Sequence, residues 1–595
     1  MMIEFDVLVI GGGHAGCEAA SAAARLGARV ALMTMQRETI GAMSCNPAVG
    51  GVGKGQLVRE VDALDGLIAR ASDAAAIHYR MLNRSKGKAV QGPRVQADRA
   101  AFRAAIQAAL AALTNLTIVE GSAESLILSG GVAVGALLAD GRRVEARSTV
   151  LASGTFLGAR MFCGETSSIG GRVGEPAATA LAQQLRARDL PVARLKTGTP
   201  PRLDGRTIDW SRLDRQPSDV EPWTMSPVGA RTLPQVFCAV TRTNSETHRL
   251  IREGLARSPL YSGAISASGP RYCPSIEDKV VRFGDRDGHQ IFLEPEGCKD
   301  RLIYPNGIST SLPPDVQTAM IQSIAGLERA AIVQPGYAVE YDFLDPRALD
   351  HGLESRAVPG LFLAGQVNGT TGYEEAAAQG LVAGANAAAR ALARPPLRLH
   401  RDGSYIGVMV DDLVLQGVTE PYRMLTARAE HRLYLRADNA ETRLTQIGIA
   451  AGIVGAARAE RHRARAAHRA IALPSMDGDL SLSIRRGAVD ARALKACDSK
   501  FAGIPEDLLD ELIEDVRYAP YVERQRVEVT ARSRAEAVLL RADMDYAGIA
   551  GLSAEMVQRF TAARPGNMGE AERIPGVTPA ALSALFVHNR LGAGA

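Results

Sequence analysis

Three short segments carry residue types that could do chemistry. The first is Gly11-Gly12-Gly13-His14-Ala15-Gly16, a Gly-x-Gly-x-x-Gly turn that follows the apolar run at residues 6–10. Backbone N–H groups at such a turn, with a helix N-terminus behind them, suit the pyrophosphate of a dinucleotide. The second is Ser44-Cys45-Asn46-Pro47, whose loop runs on to Lys54, and the third is Tyr272-Cys273-Pro274, with Lys279 downstream. A thiol in a polar loop with an ammonium close by is biased toward thiolate and can act as a nucleophile or an acid/base group. The other five cysteines look inert: Cys17 sits in a helical pattern, Cys163 and Cys238 follow apolar residues, and Cys298 and Cys497 lie in ordinary polar segments. With seven cysteines and no Cys-x-x-Cys pair, neither a disulfide scaffold nor a metal site is expected, and a reducing cytosol is the natural home. The loop at 44–55 is not a nucleotide-hydrolysing phosphate loop, because Ala48 stands where Gly is required and Gly55 where Ser or Thr must follow Lys54.

A dinucleotide turn means little without its elements. Residues 6–10 read as a buried parallel strand, an Ala-rich helix follows over roughly 16–26, and a second strand occupies 29–33. In this βαβ unit Gly11 makes the tight turn, Gly13 admits the pyrophosphate and Gly16 packs helix on strand. The second strand ends Met33-Thr34-Met35-Gln36, without the acidic residue that normally holds the ribose. Two later segments point to FAD. Residues 147–154 read as a strand ending in a small-residue turn. Residues 358–386 read as a strand, Gly365-Gln366, a Gly-rich loop and an Ala-rich helix, similar to the closing element of glutathione-reductase-type flavoproteins. Gln366 stands where those proteins usually have Asp.

The remaining composition sets the frame. At 595 residues the chain needs two to four domains, and 46% apolar with 23% charged residues is globular. The balance of 69 − 65 = +4 is too weak for a histone-like binder yet permits a local nucleic-acid patch. No run of 18 or more apolar residues suggests a membrane span, and the N-terminus lacks a signal-peptide pattern. Beyond about residue 400 an Arg/Ala-rich helical pattern takes over. Arg428, Arg432 and Arg436, spaced i, i+4, i+8, are expected on one helix face near Tyr434, suited to phosphates. Arg458, Arg461, Arg463, Arg465 and Arg469 form a second cluster, which the acids at 506–515 could instead balance. The expected fold class is α/β: a Rossmann-type FAD-binding domain (1–200, closing at 346–400), an inserted α/β domain (201–345) as the NAD and substrate region, and an all-α C-terminal region (401–595).

Taken together, several motifs resemble one family. They are the turn at 11–16, Met43-Ser44-Cys45-Asn46-Pro47, Leu195-Lys196-Thr197-Gly198-Thr199-Pro200-Pro201-Arg202, the segment 269–279, Tyr304-Pro305-Asn306-Gly307, Gly365-Gln366, Gly372-Tyr373-Glu374-Glu375 and Glu420-Pro421-Tyr422-Arg423. This combination resembles the FAD subunits of the bacterial tRNA uridine 5-carboxymethylaminomethyl modification complex, the MnmG/GidA family. The resemblance implies a homodimeric enzyme using FAD and NADH. With a GTPase partner that supplies a folate-borne one-carbon unit, in an expected heterotetramer, it adds an aminomethyl or carboxymethylaminomethyl group to C5 of the wobble uridine of certain tRNAs. It implies FAD contacts at Gly11, Gly12, Gly13, His14, Ala15, Gly16, Ala123, Ala178 and Gln366. It also implies NAD contacts across Gly269, Pro270, Arg271, Tyr272, Cys273, Pro274, Ser275, Ile276, Glu277, Asp278, Lys279, Val280, Val281, Arg282 and Phe283, although no second glycine fingerprint occurs there. Cys45 and Cys273 then become the catalytic pair, C-terminal helices the tRNA and partner surface, and no metal is implied. Two rivals are a folate-dependent tRNA uridine-54 methyltransferase-like flavoprotein, which lacks so long a helical C-terminal region, and a small-molecule flavin oxidoreductase.

Overall fold

The structure is a computed structural model that describes residues 4–188, 190–265, 267, 269, 274–541 and 543–592. Its central sheet has seven strands in the order Leu116–Glu120, Val30–Thr34, Phe5–Ile10, Arg143–Leu151, Val132–Leu138, Ala123–Ser129, with Leu361–Leu363 also on Arg143–Leu151. The strands around Phe5–Ile10 run parallel, and Val132–Leu138 and Ala123–Ser129 add an antiparallel edge. All six residues of Phe5–Ile10 are buried, which is why that segment is uniformly apolar apart from Asp6. Asp6 is held by the Arg29 backbone N–H at 2.9 Å and by its guanidinium.

Helix His14–Arg25 covers one face of this sheet, crossed closely by helix Tyr373–Ala391. Both helices are built from Ala and Gly where they meet. A Cβ on Gly380 would lie 2.1 Å from the Ala15 carbonyl oxygen, and one on Gly384 2.2 Å from that of Ala19. Only hydrogen side chains allow that approach.

Three antiparallel sheets complete the α/β part. Ala48–Gly50, Gly92–Ala97 and Ala76–Leu82 form one beside the glycine turn. Thr166–Ile169, Arg160–Cys163, Tyr337–Leu344 and Val192–Thr199 form a second. The third has six strands between Arg202 and Gln334, with its own core of Leu203, Ile251, Ile291 and Ile321 among others. From Tyr405 onward the chain is helical, with separate apolar cores at 472–516 and 540–585. The parallel α/β sheet and the helical C-terminal region are those expected from the sequence. Among the described residues no helix is long and apolar enough to cross a membrane.

The arginine stripe is the clearest correction. Residues 428–436 are not a helix: a 3-10 turn at Thr426–Arg428 gives way to irregular turns. The three arginines therefore share no face. Arg432 is exposed, Arg428 stacks on the Tyr422 ring at 4.2 Å, and Arg436 is 1% exposed. Arg436 is bound to Asp438 at 2.9 Å and Asp515 at 2.7 Å and faces no solvent-borne phosphate. The helix pattern failed because tertiary ion pairs, not i, i+4 neighbours, set these residues. The second cluster, on helix Ala456–Ala472, is balanced by acids: Arg465 and Arg469 both pair with Glu511, at 2.6 and 2.9 Å, and Arg469 with Asp515 at 2.6 Å.

Arg436→Ala would strand Asp438 and leave Asp515 with Arg469 as its partner. Because Asp438 and Asp515 keep 22% and 21% of their side-chain surface, the expected loss is about 2 kcal/mol, below the ~3–5 of a fully buried pair. Thermal unfolding should show a lowered midpoint for Arg436→Ala and none for Arg432→Ala; equal midpoints would refute the buried role.

Candidate functional site

A cavity of about 520 Å³ lies where the glycine turn, the Cys45 loop and the N-terminus of helix Tyr373–Ala391 converge. The sequence-expected residues Gly11 to Ala15, Ala123, Ala178, Gln366, Cys45, Pro274 and Lys279 all line it. This volume is that of a small-molecule or cofactor pocket.

The turn has the geometry a dinucleotide requires. Gly11 has φ +113°, and a Cβ there would sit 2.3 Å from the Ala152 carbonyl oxygen. A Cβ on Gly16 would sit 1.7 Å from the Gly11 carbonyl oxygen, so Gly16 packs beneath the turn rather than lining the cavity. At Gly13 a Cβ meets no protein atom within 4 Å. Gly13 is thus small for something other than the protein. It also begins helix His14–Arg25 without any side-chain cap, so the first N–H groups of that helix remain available to a ligand. Ser153 Oγ and Asn46 Oδ1, both on the cavity wall, are buried without a hydrogen-bond partner. A pyrophosphate over Gly13 and a polar ring system near Ser153 fit these features. Gly11, Gly12, Gly13, Ala15 and Ser153 would hold such a group. Where the ribose acid is missing, Met33, Thr34 and Met35 line the wall.

Several expected contacts take a specific form. The His14 ring is buried, and burial pulls it down to about pH 4, so it is neutral. It tilts over Tyr373 at 4.3 Å. Ala178 has its N–H on the Phe156 carbonyl at 2.8 Å and its own carbonyl on the Ala182 N–H at 3.3 Å, so both backbone groups are already engaged. Within the expected NAD stretch, Ser275 caps the short helix Ile276–Arg282, Ile276 and Val280 are core, and Val281, Arg282 and Phe283 are exposed. Glu277 is fully buried and accepts from Thr310 Oγ1 and the Ser311 N–H, both at 3.0 Å; burial raises its carboxyl. Gly269 lies against the Lys196 side chain. Pro270, Arg271, Tyr272 and Cys273 lie outside the described residues.

Cys45 is held differently from the sequence expectation. Lys54 does not serve it: its Nζ binds Glu375 at 2.7 Å and Glu374 at 3.1 Å. Burial works against the Lys54 charge, but the two carboxylates outweigh it and hold the ammonium above its ordinary range. Burial raises Glu375, while Lys54 and the Gly50 N–H overcome burial and lower Glu374. Lys279 Nζ donates to the Gly307 carbonyl at 2.7 Å. The cation beside Cys45 is instead Arg202, whose Nη2 donates to the Cys45 carbonyl at 3.3 Å. Cys45 Sγ lies 3.2 Å from the Tyr304 hydroxyl, and its N–H donates to the Tyr373 hydroxyl at 2.7 Å. Arg202, Tyr304 and Tyr373 each fall inside a motif visible in the sequence, but no spacing ties any of them to residue 45. By contrast, burial pushes the Cys17 thiol well above its ordinary range and the Cys238 thiol up to about 12. Burial also raises Cys163 and Cys298. Among the described residues no group of three His, Cys, Asp or Glu side chains is placed to hold a metal ion.

A doubly wound sheet, an open glycine turn and a second helix N-terminus facing the same cavity define a dinucleotide-binding flavoprotein. The model of the family described as glucose inhibited division protein A matches residues 6–395, and that of the tRNA modifying enzyme MnmG/GidA C-terminal helical bundle matches residues 528–593. The chain belongs to this family. It is 58% identical to the tRNA uridine 5-carboxymethylaminomethyl modification enzyme MnmG of Zymomonas mobilis over 98% of this chain and 97% of that one. The enzyme of the same description from Granulibacter bethesdensis is 49% identical over 98% and 96%. The form I crystal structure of Aquifex aeolicus GidA superposes with a TM-score of 0.92 at 43% identity, covering 98% of this chain and all of that one.

Gly13→Ala and Gly16→Ala separate ligand from packing. Gly13→Ala should purify folded and colourless, its apo unfolding unchanged, because its methyl occupies only ligand space. Gly16→Ala should fail to fold or unfold at a much lower temperature. Full flavin absorbance in Gly13→Ala would displace the ligand from this turn.

Proposed function

We propose that this chain is the flavin-carrying component of a tRNA wobble-uridine modification system in the cytosol. It binds FAD at Gly11 to Ala15, Ala123, Ala178 and Gln366, with Gly16 packed beneath the turn, and takes electrons from NADH. With a GTPase partner that supplies a folate-borne one-carbon unit, it adds an aminomethyl or carboxymethylaminomethyl group to C5 of uridine 34. The observation that carries this reading is 58% and 49% identity, over nearly the full length, to enzymes of that description, joined to a cysteine seated on the wall of the flavin-type cavity. A homodimer, assembling with its partner into a heterotetramer, and the 269–283 stretch as the nicotinamide region belong to the same proposal.

The chemistry asks for a nucleophile and a base. C5 of uracil is a poor carbon nucleophile in a neutral conjugated ring. A thiolate adding to C6 turns C5 into an enolate carbon able to attack an electrophilic methylene, and a base must later remove the C5 proton so that the thiolate leaves C6 and the double bond re-forms. Cys45 supplies one of these roles and Cys273 the other. A bound flavin contributes two-electron redox capacity in the same cavity. Arg202 and Tyr373 fix the Cys45 backbone. Exposed Arg432, together with Arg428, remains a proposed phosphate contact; Arg436 does not.

Cys45→Ser and Cys273→Ser should each abolish the wobble modification, measured by nucleoside mass spectrometry of tRNA, while flavin content and tRNA affinity stay near wild type. A normal modification rate in either variant removes that cysteine from the mechanism. Anaerobic mixing with NADH should bleach the flavin band; no bleaching, with partner and tRNA present, refutes direct reduction.

A further inference from the structure

The loop that presents Cys45 is gripped from two parts of the chain far from it in sequence. On one side the Tyr373 hydroxyl, in the first turn of helix Tyr373–Ala391, accepts the Cys45 N–H at 2.7 Å. On the other side lies strand Leu302–Asn306 of the six-stranded sheet, which brings the Tyr304 hydroxyl to 3.2 Å from Cys45 Sγ. The Thr199 hydroxyl is a weaker neighbour of the sulfur at 3.8 Å.

The surrounding charge is not neutral. Glu296 is fully buried and sits between two guanidiniums, Arg202 at 2.7 Å and Arg99 at 2.6 Å. Two cations therefore face one carboxylate within this cluster. Both arginines also reach back to the cysteine loop: Arg99 donates to the Met43 carbonyl and Arg202 to the Cys45 carbonyl. Arg202 is 4% exposed, and its guanidinium carbon lies 4.6 Å from the centre of the Tyr304 ring. A cation over a phenol ring makes its hydroxyl a better hydrogen-bond donor. Either atom of the Cys45–Tyr304 contact could donate, and the cation over the ring favours donation from the phenol to the sulfur.

We propose that Tyr304 is a positioning residue for Cys45: its hydroxyl, polarised by Arg202, donates to the sulfur, holds it toward the cavity and favours its thiolate form. This rests on the reading of Cys45 as a reactive thiol but adds the group that makes it so. No bond is made or broken by Tyr304, and the proton that leaves Cys45 goes to solvent. A charge-assisted hydrogen bond to a thiolate is the strong kind, and its loss leaves the anion less favoured.

The test reads the sulfur directly, without tRNA or turnover. The full-length protein with its flavin is treated with iodoacetamide across a pH series, and the Cys45 peptide is followed by mass spectrometry, which separates it from exposed Cys298. Tyr304→Phe should slow Cys45 alkylation about ten-fold near neutral pH and move the profile to higher pH, with flavin absorbance unchanged. Site-specific 2-fluorotyrosine at 304, which keeps the ring and has a slightly more acidic hydroxyl that stays protonated where the thiol titrates, should move the profile to lower pH. It stands in should Tyr304→Phe not fold. A profile unmoved by both replacements overturns the proposal. Failure of the underlying reading of Cys45 as the reactive thiol would show elsewhere, as a Cys45→Ser protein that still modifies tRNA.

Discussion

The close approach of helix His14–Arg25 to helix Tyr373–Ala391 is the contact on which the rest depends. Gly380 and Gly384 lie against the Ala15 and Ala19 carbonyls at distances no Cβ would tolerate. Because the two helices meet this tightly, their N-termini open onto the same cavity: Gly13 at one, Tyr373 at the other. Two sets of unfilled N–H groups, from segments 360 positions apart in the sequence (Tyr373 less Gly13), then converge on one ligand space. Any larger side chain in the seam would separate the helices and pull the cavity walls apart.

Around this seam the protein spends its buried charges on registry. Lys54 joins the start of helix Lys54–Ala63 to Glu374 and Glu375. Arg202 and Arg99 share Glu296, tying the six-stranded sheet to the Cys45 loop. Glu60, near the far end of helix Lys54–Ala63, accepts the Tyr405 and Ile406 N–H groups at 3.0 and 2.9 Å and pairs with Arg443 at 2.8 Å. Asp62 pairs with Arg458 at 2.8 Å. One short helix therefore carries the cavity lysine at its start and grips the helical region at its end. Buried ion pairs add little net stability over apolar packing, but breaking one is costly, so each fixes which segment lies against which. Arg573 on Asp411, at 2.9 Å, attaches the last helical bundle to helix Tyr405–Gln416 in the same way.

The sequence by itself determined the elements whose signals are local. An apolar run, a glycine turn and an Ala-rich helix define βαβ because strand, turn and helix propensities are set by near neighbours, and the observed bounds of Phe5–Ile10, His14–Arg25 and Val30–Thr34 differ from the reading by one or two residues. Gly365-Gln366 and the helix after it were legible for the same reason. Only the tertiary structure decided which charges meet. The i, i+4, i+8 arginines looked like a helix face, yet Asp515, 79 residues beyond Arg436, turned one of them inward. Lys54 looked like a partner for Cys45, yet Glu374 and Glu375 claim it, and the cysteine receives Arg202 and Tyr304 instead. Spacing records contacts along one turn or one strand. A side chain six atoms long can find its counter-charge on any segment the fold brings within reach, and that choice is made only when the chain closes on itself.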